Sequence, residues 1–232
     1  MSTKTHTHAE PVPMTTQLLV LPFLASVYGY LTASKSVADL RVTMHRVMTQ
    51  RGTTYLQQIC SYVDVCGYSS EANIGRVFSV DTGIIGASFD TGKIWRTKKF
   101  ESKRKLVERL QQDMKNTEDF RRIEDVALEY LSVPFLSAEG EVVSILYADC
   151  KEFDILSNDQ RINAVTDMCR GYALFLDALA SGKSTTLENF DLRRGEYMKS
   201  QNTLYPNMHE ALHEIDPPEL KHLKTLNFEA AP

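Results

Sequence analysis

Six residues have side chains able to recognise a ligand: Arg76, Phe78, Trp95, Tyr130, Ser132 and His45. A guanidinium beside an indole suits an anionic, planar ligand through bidentate hydrogen bonding and stacking, and the same pair serves as an arginine lying over a structural tryptophan. Tyr130 and Ser132 stand two apart in an extended run, so they share a face, where they complete polar recognition or satisfy buried hydroxyls locally. His45 alternates onto the strand face opposite Val42 and Met44, where a pocket would lie. It could hold a ligand or a haem, although a lone histidine is more often a hydrogen-bonded structural residue.

Catalysis has no visible apparatus. There is no GxSxG elbow, Walker loop, HExxH or dinucleotide fingerprint, and Ser181-Gly182-Lys183-Ser184 lacks the upstream glycine and strand of a phosphate loop, so it reads as a helix stop. Cys60, Cys66, Cys150 and Cys169 show no CxxC pairing and no histidine at metal-ligand spacing, so no metal site is expected. They read as buried, reduced thiols of a cytoplasmic protein, and no activating base stands beside any of them for a thiol-based redox enzyme.

These side chains need a scaffold, and 232 residues with 43% hydrophobic content can build one domain with appendages. A net charge of −4 and a pI near 5.9 give no general attraction to nucleic acid or anionic lipid. Residues 1–14 hold almost no apolar partners and are expected to be disordered. A domain is expected over 15–182, followed by a largely irregular tail over 183–232 in which Leu220, Leu223 and Leu226 could form a short docking helix.

Within the domain, Thr15 or Thr16 caps a helix from about Gln17 to Ser34, bent at Pro22 and apolar nearly all round. Such a helix must bury both faces, in its own domain and a partner subunit or in lipid. Its apolar core, Leu18 to Ala33, falls short of the roughly 20 residues that cross a bilayer. A secretory signal fits poorly, because no clear cleavage site follows. Leu40 to Met48 alternates as a half-buried strand and forms a hairpin with Tyr55 to Val63 through a turn at Gln50-Arg51-Gly52. Gly75 to Val80 is a strand, Ile84 to Phe89 a short helix between glycine turns, and Lys93 to Thr97 another strand.

Lys98 to Asp125 carries mixed charge with Leu106, Leu110 and Met114 at four-residue spacing, which is a solvated amphipathic helix rather than a nucleic-acid patch. Leu128 to Leu136 and Glu141 to Asp149 form a second hairpin. A long helix, capped within Ser157-Asn158-Asp159, then presents two apolar stripes. These are Ile162, Val165, Cys169, Tyr172 and Leu176, and beside them Ala164, Met168, Phe175 and Ala178. One stripe packs on the sheet. The other, with the N-terminal helix, predicts a homodimer sealed by terminal helices.

The order of these elements resembles the GAF domain family from roughly Thr16 to Ala180. The specific parts are Gly83-Ile84-Ile85-Gly86 followed by Thr91-Gly92, Ser132-Val133-Pro134-Phe135, and Gly140 to Asp149, in which Ser144 stands where the family usually has glycine. The resemblance implies an α+β fold, an antiparallel sheet of five or six strands. The terminal helices would lie on one face, and short helices and loops would cover a pocket on the other. It implies a non-catalytic sensory or regulatory module that binds an unidentified small molecule; the sequence specifies no cofactor. The asparagine-lysine pair of the cyclic-nucleotide members is absent around Asp149-Cys150-Lys151-Glu152-Phe153. Neither Cys150 nor Cys169 precedes the histidine of bilin attachment, and Gly75 to Thr97 lacks the cysteines of the methionine-sulfoxide reductases. A protein-interaction or assembly module with a filled pocket is the alternative, with or without a membrane anchor in its N-terminal helix.

Overall fold

The structure is a computed structural model, and it describes residues 11–33, 37, 39–50, 52–64, 67–68, 73–81, 83–97, 102–113 and 127–181. The chain divides into two units, Met1–Ala180 and Ser181–Pro232, and the described residues belong to the first apart from Ser181. The expected tail, with its leucines at 220, 223 and 226, lies outside the described residues, as do positions 1–10.

Alternation builds the central sheet. In β1 (Arg41–Gln50), Val42 and Met44 point to one face and Thr43 and His45 to the other, and all four are buried. β1 pairs with β8 (Val142–Cys150) on one side and with β2 (Thr53–Gln58) on the other; β8 pairs with β7 (Glu129–Leu136). Two shorter strands extend the sheet, β5 (Val77–Ser79) beside β2 and β6 (Trp95–Arg96) beside β7. The backbone order is therefore β5-β2-β1-β8-β7-β6, antiparallel throughout, within the expected five or six strands.

One difference from the sequence reading is the Tyr55 to Val63 run. The chain leaves the ladder at Ile59, whose N–H still donates to the Met44 carbonyl. It rejoins as β3 (Val63–Asp64), with Val63 opposite Val42 and β4 (Gly67–Tyr68) beyond it, giving eight strands in all.

Helices α1 (Met14–Thr32) and α4 (Asp159–Ala180) cover one face. Leu24, Val27 and Leu31 of α1 meet Val42, Met44, Leu131, Val133, Leu146 and Ala148 of the sheet, and Ile162, Val165, Cys169 and Tyr172 of α4 close the same core. Phe23 stacks on Tyr172 at 4.2 Å, with Phe135 edge-on to both. Asn158 caps α4 by accepting the Arg161 N–H at 3.1 Å. The expected threonine cap of α1 is absent. The helix begins earlier, Pro13 holds the cap position with no side-chain bond, and Thr15 and Thr16 fall inside the first turn. Met14, the last residue of the segment expected to be disordered, is the first helical residue. Apolar side chains remain outside this core, Leu18 at 59% exposure on α1 and Leu174 at 71% on α4 among them.

The other face carries α2 (Gly83–Thr91), whose Ile84 and Ile85 pack on Leu56 and Ile145. Of the charged stretch expected to be helical, α3 (Lys103–Asp113) is helix and buries Leu106 and Val107; residues 98–101 and 114–126 lie outside the described residues.

The seating of α2 depends on Gly86. A Cβ there would sit 2.9 Å from both the Asp81 carbonyl carbon and the Val80 carbonyl oxygen, which are backbone atoms unable to swing aside. Gly86→Ala is expected to destabilise the fold by about 1–3 kcal/mol in urea unfolding, whereas Gly171→Ala, with open space around it on α4, is expected to leave stability equal or improved.

Candidate functional site

The sheet face beneath α2 is polar at one end. Its side chains stand in cross-strand rows fixed by register. One row runs Trp95, Ser132, Tyr147, Thr43. A second runs Pro134, Ile145, His45, Gln58, and the Gln58 N–H donates to the Arg76 carbonyl at 2.8 Å, placing Arg76 next in line. A third runs Tyr130, Asp149, Arg41.

Most of these groups are satisfied. Arg41 donates two bonds to the Asp149 carboxylate, at 2.8 and 2.7 Å, and lies 4.8 Å over the Tyr62 ring. That hydrogen bond holds the Arg41 pKa above its ordinary value. The Tyr147 hydroxyl donates to Asp149 at 2.9 Å; burial first, then the Asp149 charge, push its pKa well up, so it stays neutral. Thr43 donates to the Cys60 carbonyl at 3.0 Å.

Three groups on this face are not satisfied. Both ring nitrogens of His45, Oε1 of Gln58 and the hydroxyl of Ser132 are buried without a hydrogen-bond partner, and none of the three residues is more than 1% exposed. A fifth such atom, Nη2 of Arg46, lies on the opposite face. A polar group buried without a partner costs about 1–3 kcal/mol, so three on one face are a concentrated cost to the fold.

The sequence-predicted residues divide by position. His45, Phe78 and Arg76 come together: the Phe78 ring stands edge-on to His45 at 5.2 Å, and Arg76 lies 5.2 Å over Phe78 while donating to Asn73 Oδ1. Trp95 and Ser132 come together as direct cross-strand partners, with Tyr130 beside them on β7. Arg76 and Trp95 do not form the expected pair. They stand at opposite edges of the sheet, five strand spacings and on the order of 20 Å apart, because adjacency along the chain was broken by α2. Trp95 is 36% exposed, and its indole N–H donates to the Thr91 hydroxyl at 2.8 Å.

Gln58, Tyr147, Thr43 and the Arg41–Asp149 pair escaped the sequence reading. Their signal was register: once Leu40 to Met48 pairs antiparallel with its neighbours, every second residue of β1 points at these side chains.

The thiols Cys60 and Cys169 are pushed up by burial to about 12, and Cys150, also by burial first, to about 11, so all three stay protonated and unreactive. Among the described residues no group of three or more His, Cys, Asp or Glu could hold a metal ion. Cys66 lies outside the described residues.

Two helices on one side of an antiparallel sheet, a short helix on the other, and a polar row beneath that short helix make the arrangement the resemblance implied. The fold is GAF-like. No protein-family profile matches the sequence, and neither does any curated protein. Solved structures do resemble it. The GAF domain of a two-component sensor histidine kinase from Bacillus halodurans aligns with a TM-score of 0.46 at 10% identity, over 74% of this chain and 100% of that one. A type II free methionine-R-sulfoxide reductase from Thermoplasma acidophilum gives 0.43 at 11%, over 68% and 92%. The GAF domain of an Acinetobacter phosphoenolpyruvate-protein phosphotransferase gives 0.39 at 11%, over 74% and 99%. What those proteins sense or catalyse is theirs.

His45 also makes stability depend on pH. Burial, with the Arg76 charge adding, lowers its pKa from 6.5 to about 3; Tyr147, the other titratable group facing it, is neutral. The unfolded chain therefore binds a proton that the folded chain refuses as pH falls from 6.5 towards 3, and stability drops by about 1.4 kcal/mol per pH unit across that window. Urea unfolding at about pH 7 and about pH 5 is expected to show this loss in the wild type and a flatter profile in His45→Leu.

Proposed function

We propose that this chain is a non-catalytic sensory or regulatory domain that binds a small molecule over the polar sheet face and signals through helix contacts. The observation that carries the reading is the set of unpartnered buried groups, His45, Gln58 and Ser132, under α2. A dry, self-satisfied face would have served assembly alone. Phe78 and Tyr147 wall the His45 end, Arg76 sits at the rim, and Trp95 with Tyr130 flanks Ser132. His45 and Ser132 are two strand spacings apart, on the order of 10 Å, a span that one metabolite bridges. The protonated, buried thiols favour a non-catalytic role in a reducing compartment.

Thermal-shift screening of metabolites on the full chain is expected to find a stabilising ligand. A hundredfold excess over Kd contributes about 2.7 kcal/mol to the folded state. Ser132→Ala and Arg76→Ala are each expected to diminish that shift. An empty screen together with native mass spectrometry that detects only bare protein would overturn the ligand reading in favour of an assembly module.

The partner proposed for the helix face is a second copy of the chain. Leu18 and Tyr30 on α1 and Leu174 and Phe175 on α4 are exposed on elements whose opposite sides already seal the sheet. Bilayer insertion competes for α1, which is 19 residues long and uncharged. Its residues Val20, Phe23, Leu24, Val27 and Leu31 are committed to the core, which favours the dimer. Light scattering of the full chain in plain buffer is expected to give a dimer, and Leu18→Glu with Leu174→Glu a folded monomer. A wild-type monomer would sink the dimer, and a need for detergent would favour the anchor.

A further inference from the structure

The hydrogen-bonding capacity left open on the polar face restricts the chemistry of its ligand. His45 and Gln58 oppose each other directly across β1 and β2. The Gln58 amide has a fixed orientation: its Nε2 donates to the Cys60 carbonyl at 2.8 Å, beside the Thr43 hydroxyl that donates to the same oxygen. Turning the amide over would set oxygen against oxygen, so Oε1 is held as an acceptor without a donor. The imidazole is neutral, for the reasons given above, and presents one N–H and one lone pair, both unpartnered.

An acceptor-only ligand such as a carboxylate would satisfy the imidazole N–H and set further lone pairs against Gln58 Oε1. A cation would meet Arg76 in the same row. A planar group with an N–H beside a C=O answers both residues, since the carbonyl accepts from His45 and the N–H donates to Gln58. Directly opposed side chains have Cβ atoms about 5 Å apart, close enough for both to reach one small planar group.

We propose that the site reads a lactam or imide edge of an uncharged small molecule, in which the ring holds the N–H beside the C=O, with His45 and Gln58. Phe78 walls that group, and Ser132 takes a second polar point at the far end. This rests on the ligand-binding reading above, and it departs from the anionic ligand that an Arg76 and Trp95 pair would have favoured.

The test uses the full chain labelled with 15N at histidine and glutamine side chains, and three planar probes. Uracil carries the imide edge, 1,3-dimethyluracil keeps the carbonyls without N–H, and benzoate offers acceptors alone. Uracil is expected to shift the His45 ring and Gln58 amide resonances. Dimethyluracil and benzoate are expected to bind at least about tenfold more weakly. Gln58→Met should lose the uracil response, and Gly171→Ala, with open space around it on α4, should keep it. Dimethyluracil binding as well as uracil would overturn the edge assignment without any reliance on a variant that fails to fold. Benzoate preferred at His45 would overturn the ligand class and leave the ligand-binding reading standing. A ligand-free spectrum in which the His45 N–H is already bonded to Gln58 would overturn the premise. No response to any probe, joined to an empty metabolite screen, would overturn both readings.

Discussion

The cost of burying polar groups in the middle of a sheet governs this molecule. β1 is the strand that hydrogen-bonds β2, β3 and β8, and from Val42 to His45 it is covered on both sides, so these side chains are buried against either the helix core or the layer under α2. On the helix side the solution is apolar, with Val42 and Met44 fully buried. On the other side the sequence places Arg41, Thr43 and His45. Arg41 is answered by Asp149 and Thr43 by the Cys60 carbonyl. His45 is answered only by ring edges and by a glutamine whose amide faces elsewhere. A fold optimised for stability alone would place an aliphatic side chain at position 45.

Period made most of the fold legible. Strict alternation in β1 and the 3.6-residue stripe Ile162, Val165, Cys169, Tyr172 in α4 each admit one reading, and both stand as read. Glycines punctuated the rest: Gly83 and Gly92, both at positive φ, bracket α2, and Gly140 at φ 82° turns the β7–β8 hairpin. The run from Tyr55 to Val63 was not legible as two strands, since residues 56–63 are continuously buried and no glycine or proline marks the jog at Ile59. The start of α1 differs from the expectation for a local reason. Threonine is a cap by propensity, but the chain before it was already held in register by Pro13, whose carbonyl accepts the Gln17 N–H at 3.3 Å.

The site was legible in its parts and not in its pairing. His45, Phe78, Tyr130 and Ser132 could be assigned to one face from alternation alone. Which of them meet depends on strand order, a long-range property, and here α2 and β6 carry Trp95 to the far edge from Arg76. Gln58, inside the Tyr55 to Val63 run, carries no signal of its own in the sequence. Only its place opposite His45, and the bond that fixes its amide, give it a role.

The two faces are mechanically joined at one place. Glu129, at the start of β7, is buried on the helix side, and its carboxylate accepts the N–H groups of Asp154, Ile155 and Leu156 at 2.8, 2.9 and 2.6 Å and the Ser157 hydroxyl at 2.5 Å. Arg96 of β6 donates to the Ser157 carbonyl and pairs with Asp159, the first residue of α4. Alternation puts Trp95 on the polar face and Arg96 on the helix face of the same two-residue strand. Ser132 lies three residues along β7 from Glu129, also on opposite faces. The strands that carry one end of the candidate site therefore hold the entry to α4 through charge-assisted bonds, which are stronger and more directional than the apolar contacts around them. A shift of β6 or β7 must either move the first turn of α4 or break those bonds. The connection between site and helix face needs no element beyond a strand too short to move independently at its two ends.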